Sequence, residues 1–141
     1  MNAYARTVDA YLTQRVMGAS PELLAALVME AGQLHMGRAI LALERNDVSE
    51  ATRCFIRVTE VIKEASFHLN LEEGGELASN LQKLYNWWMK EIMLASRDKD
   101  TARLAAVSQA MGELRMTWEQ CHEKKAATLR VSTFQFGDQV G

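Results

Sequence analysis

Between Val48 and Leu69 the apolar residues Ala51, Phe55, Val58, Ile62, Ala65 and Leu69 step by four, three, four, three and four. That interval holds one stripe of a helix against its neighbours. The same rhythm returns twice: as Leu77, Leu81, Leu84, Trp88, Ile92 and Ala95, and again as Leu104, Val107, Met111, Leu114, Trp118 and Cys121. Upstream, Leu24, Leu27, Val28, Ala31, Leu34 and Leu41 suggest a further stripe. The punctuation agrees with four helices. Ser20-Pro21 offers an N-cap followed by proline at the first helical position, and this first helix is expected to end near Arg45. Asp47-x-x-Glu50 resembles a capping box for the second. Gly74-Gly75 disfavours helix continuation and marks the turn before the third. The third ends near Ser96, before the charged break Arg97-Asp98-Lys99-Asp100.

Four helices joined by short turns pack as antiparallel neighbours. The expected fold is therefore all-α, an antiparallel four-helix bundle over residues 21–125. A short N-terminal segment, 1–20, with scattered apolar positions precedes it. Past Lys125 helical periodicity is lost and Val131, Thr133, Phe134 and Phe136 suit a strand better than a helix, so residues 126–141 are expected to form an extended or disordered C-terminal tail.

Composition narrows the function classes. A chain of 141 residues has the size of one domain, and 48% hydrophobic against 24% charged residues is the balance of a folding chain. The formal charge of -2 supplies no field for a phosphate backbone, so nucleic acid is not an expected partner. Cys54 and Cys121 lack the spacing of a zinc site or a disulfide framework, which suits reduced thiols in the cytoplasm. No apolar run is long enough to span a bilayer, and MNAYARTVDAYLTQR lacks the basic end and apolar stretch of a signal peptide. The expectation is a cytoplasmic protein without membrane insertion.

Candidate chemistry is sparse. Carboxylate-bridged metal sites in bundles need inward-facing Glu and two Glu-x-x-His motifs. Only Glu119-Gln120-Cys121-His122 has that form, so a metal-carboxylate bundle enzyme is the weaker alternative. His35 and His68 have no ligand spacing and read as boundary or surface residues. Cys121 continues a core stripe, as a small hydrophobe would. No catalytic residue, metal or cofactor is expected. More informative are the apolar residues outside the stripes. Ile56, Val61, Tyr85, Trp87 and Met89, with Met93 and Met116, widen the apolar arc beyond the three positions in seven that a bundle helix needs. Adaptable thioethers and large aromatic rings suit a surface that accepts a partner's helix, although a regulatory homodimer meeting through the same face has the same pattern.

The residues also resemble a known family, the flagellar export chaperone FliS, from about Ala10 to Glu119. The similarity rests on Ala19-Ser20-Pro21 followed by Leu24, on Glu72-Glu73-Gly74-Gly75-Glu76-Leu77-Ala78 with Asn80-Leu81, on Leu84-Tyr85, and on Asp100 with Trp118. It implies a small helical protein, without enzymatic activity, that binds the C-terminal segment of flagellin in the cytoplasm. It further implies that premature filament assembly is prevented and that the subunit is presented to the flagellar type III export gate. The family's N-terminal tyrosine, associated with covering the empty groove and with docking at the gate, corresponds to Tyr11 by its distance from Ser20-Pro21; Tyr4 fits a longer spacing. Where the family often has Leu-Tyr-Asp-Tyr-Met, this chain has Leu84-Tyr85-Asn86-Trp87-Trp88, and Lys90-Glu91 stands where a basic pair is usual. The expected partner-binding residues are Tyr11, Ile56, Val61, Tyr85, Trp87 and Met89. The tail has no counterpart in the resemblance and receives no role.

Overall fold

The computed structural model describes residues 20–69 and 72–140, with side chains as far as residue 127. Four helices follow one another: α1, Pro21–Glu44; α2, Val48–Phe67; α3, Gly75–Arg97; and α4, Thr101–Val140. Among the described residues there is no strand. Helix α1 packs most extensively against α4 and α2, while α3 closes the ring by meeting α4 and, over a smaller area, α2. Tyr11 and the rest of the N-terminal segment lie outside the described residues.

The helix boundaries follow from local chemistry. Ser20 Oγ accepts a hydrogen bond from the Leu23 amide at 3.2 Å, with Pro21 at the first helical position. At the α1–α2 turn, the amides of Asn46 and Asp47 return to the carbonyls of Leu43 and Ala42 at 3.0 and 2.8 Å. Asn46 takes a left-handed φ of 59° to allow this Schellman closure. The α3–α4 turn repeats the device, with Lys99 at φ 54° and the amides of Lys99 and Asp100 reaching Ser96 and Ala95. In both turns the next residue caps the following helix: Asp47 Oδ1 accepts from Glu50, and Asp100 Oδ1 from Arg103. In sequence the second cap reads as no more than a charged break.

The core is apolar throughout, and among the described residues no polar or charged residue is buried in it. Its centre is Trp88, fully buried, whose ring centroid lies 5.6 Å from that of Tyr85. Met29 and Met36 of α1, Val58 and Ile62 of α2, and Leu104, Val107 and Met111 of α4 surround them. Across the α3–α4 edge, the Arg103 guanidinium donates to both oxygens of Glu91 at 2.7 and 3.0 Å.

Three expectations need correction. Helix α1 buries Ala26, Met29, Gly32, Met36, Ala39 and Leu43, not the leucine stripe, and Leu34 and Leu41 are exposed. The reason is close approach: a Cβ on Gly32 would lie 3.1 Å from Met111 Sδ, so the small face of α1 is the one that fits against its neighbours. Leu77 and Cys121 are exposed: in the first turn of α3 it is the neighbouring Ala78 that is buried, and Cys121 lies on the part of α4 beyond the core. Tyr85, expected outside the α3 stripe, is a core residue at 2% exposure. The backbone of α4 runs on as helix as far as Val140. Adding a residue to an existing helix costs far less than starting one, and Ala126 and Ala127 favour the continuation.

Candidate partner-binding groove

Helix α1 is apolar on nearly its whole circumference, which in a four-helix ring leaves one face without a helix to cover it. That face carries Leu24, Leu27, Val28, Ala31 and Leu34. Opposite it stand Val61, Ala65 and Leu69 on the C-terminal half of α2. The two rows bound an open groove of about 970 Å³ that descends between α1 and α2 to Tyr85 of α3 and Trp118 of α4. A cleft of this size, apolar and floored by aromatic rings, is what a helical or small-molecule ligand needs. Burial pushes the Tyr85 hydroxyl above its ordinary pKa, so the floor stays uncharged near neutrality. The indole N–H of Trp118 is buried and has no hydrogen-bond acceptor among the described residues.

The mouth is pinned at the start of α1. Ser20 Oγ and His122 Nδ1 are 2.6 Å apart, and Lys125 Nζ donates to Glu22 Oε1 at 2.7 Å. These contacts tie the first turn of α1 to the part of α4 that extends past the core. The Lys125 hydrogen bond is the largest influence holding the Glu22 carboxyl below its usual pKa. They also account for the lone Glu-x-x-His motif: His122 is engaged by Ser20, and Glu119 accepts from Arg115 at 2.9 Å. Among the described residues no three of His, Cys, Asp and Glu gather as metal ligands would. His68 is exposed, with its ring nitrogen 3.0 Å from Glu64.

Of the residues expected to bind a partner, the structure brings Val61 and Tyr85 together in this groove. Ile56 lies further along α2 and is 53% exposed. Trp87 is 55% exposed on α3, while Met89 is half-buried against the core. Sequence reasoning misses Leu24, Leu27, Val28, Ala31, Leu34 and Trp118 as groove residues because each reads as part of a core stripe. A signal was available. Met29, Gly32, Met36, Ala39 and Leu43 form a second helical stripe on α1, and two stripes on one helix mean one to spare.

Comparison with known proteins gives a family and relatives. A family model described as "Flagellar protein FliS" matches residues 3–125. The chain is 29% identical over 119 residues to the "Flagellar secretion chaperone FliSB" of Pseudomonas aeruginosa, covering 84% of this chain and 94% of that protein. It is 27% identical to the "Flagellar secretion chaperone FliS" of Salmonella typhimurium, covering 77% of this chain and 82% of that one. The Bacillus subtilis protein of the same name is 25% identical over 111 residues, 79% of this chain and 82% of its own. No helix among the described residues is long and apolar enough to cross a membrane.

Proposed function

This chain belongs to the FliS family of flagellar secretion chaperones, and from that premise we propose that it binds the C-terminal segment of flagellin in the cytoplasm. Bound there, the segment is kept from assembling early and is carried to the flagellar type III export gate. The protein does this by binding alone, without a reaction step. The carrying observation is the apolar groove between α1 and α2, whose rows of leucine and valine and whose aromatic floor suit an amphipathic helix. A segment that is disordered until it assembles folds as it docks, and that ordering costs about 2 to 5 kcal/mol of the gross interaction energy. A long apolar groove offsets that cost while leaving release easy.

In this reading residues 21–125 form the binding unit, residues 1–20 carry the tyrosine, Tyr11 or Tyr4, that covers the empty groove and meets the gate, and 126–141 remain without an assigned role. Val61 and Tyr85 contact the partner within the groove, and Ile56, Trp87 and Met89 extend the surface beyond it. The test is calorimetric titration with a peptide covering the C-terminal segment of the flagellin from the same organism. One-to-one binding with a negative heat-capacity change, weakened at least tenfold by Leu34→Asp with helicity unchanged, is the expected result. Absence of heat at tens of micromolar protein refutes it.

A further inference from the structure

The groove does not end where its apolar lining does. His35 lines both it and a second cavity of about 460 Å³, which continues between α1 and α2 toward the Asn46 turn. The lining changes character there. Arg38 of α1 faces Arg53 and Arg57 of α2, with the half-exposed Ile56 beside them. Two carboxylates share the cavity, each paired with one arginine: Arg53 with Glu50 at 2.8 Å and Arg57 with Glu60 at 3.4 Å. Three guanidinium groups against two carboxylates leave one positive charge in excess, and Arg38 has no ion-pair partner among the described residues. At His35 burial lowers the pKa first, Arg38 and Arg57 lower it further, and Glu60 opposes them. At the apolar end, by contrast, the charged side chains on the lining are the carboxylates Glu22, Glu30 and Glu64, with Glu22 paired to Lys125 and Glu30 4.0 Å from Arg115. The whole chain is negative, at -2, so the positive end is a local feature of the track.

We propose that the segment laid along α1 and α2 carries acidic residues at the end that passes His35, seated on Arg38, Arg53 and Arg57, so that charge fixes the direction in which it lies. This rests on the reading of the groove as the partner site. From Leu24 to Arg38 the track runs roughly 21 Å along α1, the rise of about fourteen helical residues, so one docked helix reaches both halves. Apolar contact supplies most of the affinity in such an arrangement. The arginines add orientation and association rate, and their share fades with salt.

The experiment titrates wild type and the variant R38Q/R53Q/R57Q with the flagellin C-terminal segment, and with the same peptide after its Asp and Glu are replaced by Asn and Gln. All three arginines are exposed, so the variant is expected to keep its helicity, which circular dichroism checks. At low salt the variant should bind the native peptide about tenfold more weakly. The difference should close at high salt and be absent with the neutralised peptide. Equal affinity of wild type and variant for the native peptide at low salt overturns the proposal while leaving the groove standing. A wild type that binds neither peptide removes the groove reading and this one with it. Loss of wild-type binding to phosphatidylserine vesicles in the variant, with peptide affinity unchanged, assigns the arginines to a membrane surface and also overturns it.

Discussion

The two faces of α1 can be separated by a pair of truncations two residues apart. Met36 is fully buried in the core, whereas Leu34 is 53% exposed on the groove edge. Met36→Ala removes three heavy atoms from a close-packed interior and leaves a cavity that its neighbours fill only partly. Substitutions of this kind cost about 2 to 5 kcal/mol. The flexible thioethers of Met29 and Met111 in the same core favour partial collapse, which places the expected loss at about 3 kcal/mol. For a domain of this size that lowers the thermal midpoint by roughly 10 °C. Leu34→Ala leaves no cavity and should change stability by less than about 0.5 kcal/mol. The assay is urea unfolding followed by helical circular dichroism, with the midpoint compared at constant slope. Binding should respond in the opposite sense, since Leu34 belongs to the docking surface and Met36 does not. If Leu34→Ala is the costly change and Met36→Ala is silent, the leucine stripe is the core and the groove assignment is wrong.

The glycines of α1 give an independent check: a Cβ added at Gly37 would have nothing within 4 Å, so Gly37→Ala should stabilise by about 1 kcal/mol, while Gly32→Ala meets Met111 Sδ at 3.1 Å and Val61 at 3.4 Å and should destabilise; equal effects in thermal unfolding would refute the close α1–α4 approach. The Glu22 carboxyl is held below its ordinary value of 4.5, chiefly by Lys125. A lowered native pKa adds stability that is present above the unfolded value and is lost as pH falls through the folded one. Lys125→Met should therefore flatten the acid limb of the stability profile below about pH 4.5, and an unchanged limb would mean that the contact is not kept in solution. Tyr85→Ala should lower stability by about 3 kcal/mol or more because the ring is in the core, whereas Trp87→Ala should leave the unfolding midpoint in place and weaken partner binding. A Trp87→Ala protein that unfolds early would place that ring against the bundle.

What could be read in the sequence was local or one-sided. The cap at Ser20, the cap at Asp47 and the break at Gly74 were legible because a few residues determine each of them. The α2 stripe was legible because Ala51, Val58 and Ile62 share one face at regular three- and four-residue steps, with Ile56 and Phe67 as the apolar exceptions on the other side. Helix α1 defeated the same reasoning. With leucines on one side and methionine, alanine and glycine on the other, periodicity favours the larger side chains, while packing favours the smaller ones that let α4 come close. The basic end of the track was invisible for another reason: Arg38 stands fifteen positions before Arg53, and only the α1–α2 register brings them together.

That division of α1 has a consequence for how such a protein binds. A chain that must offer apolar surface to a sticky segment is itself exposed to self-association through that surface. Here Leu24 and Leu27 are partly buried, Leu34 alone of the lining leucines stands out at the edge, and the floor is made of residues packed on the core, so flat surfaces meet little of the groove while a narrow helix can enter it. Tyr85 serves core and floor at once, packing on Trp88 with one side and closing the groove with the other. The groove thereby takes its rigidity from the bundle. A preformed groove loses little entropy on binding, so most of the ordering cost falls on the incoming segment. Repacking the floor should therefore change stability and affinity together, whereas changes on the α1 leucines should alter affinity alone.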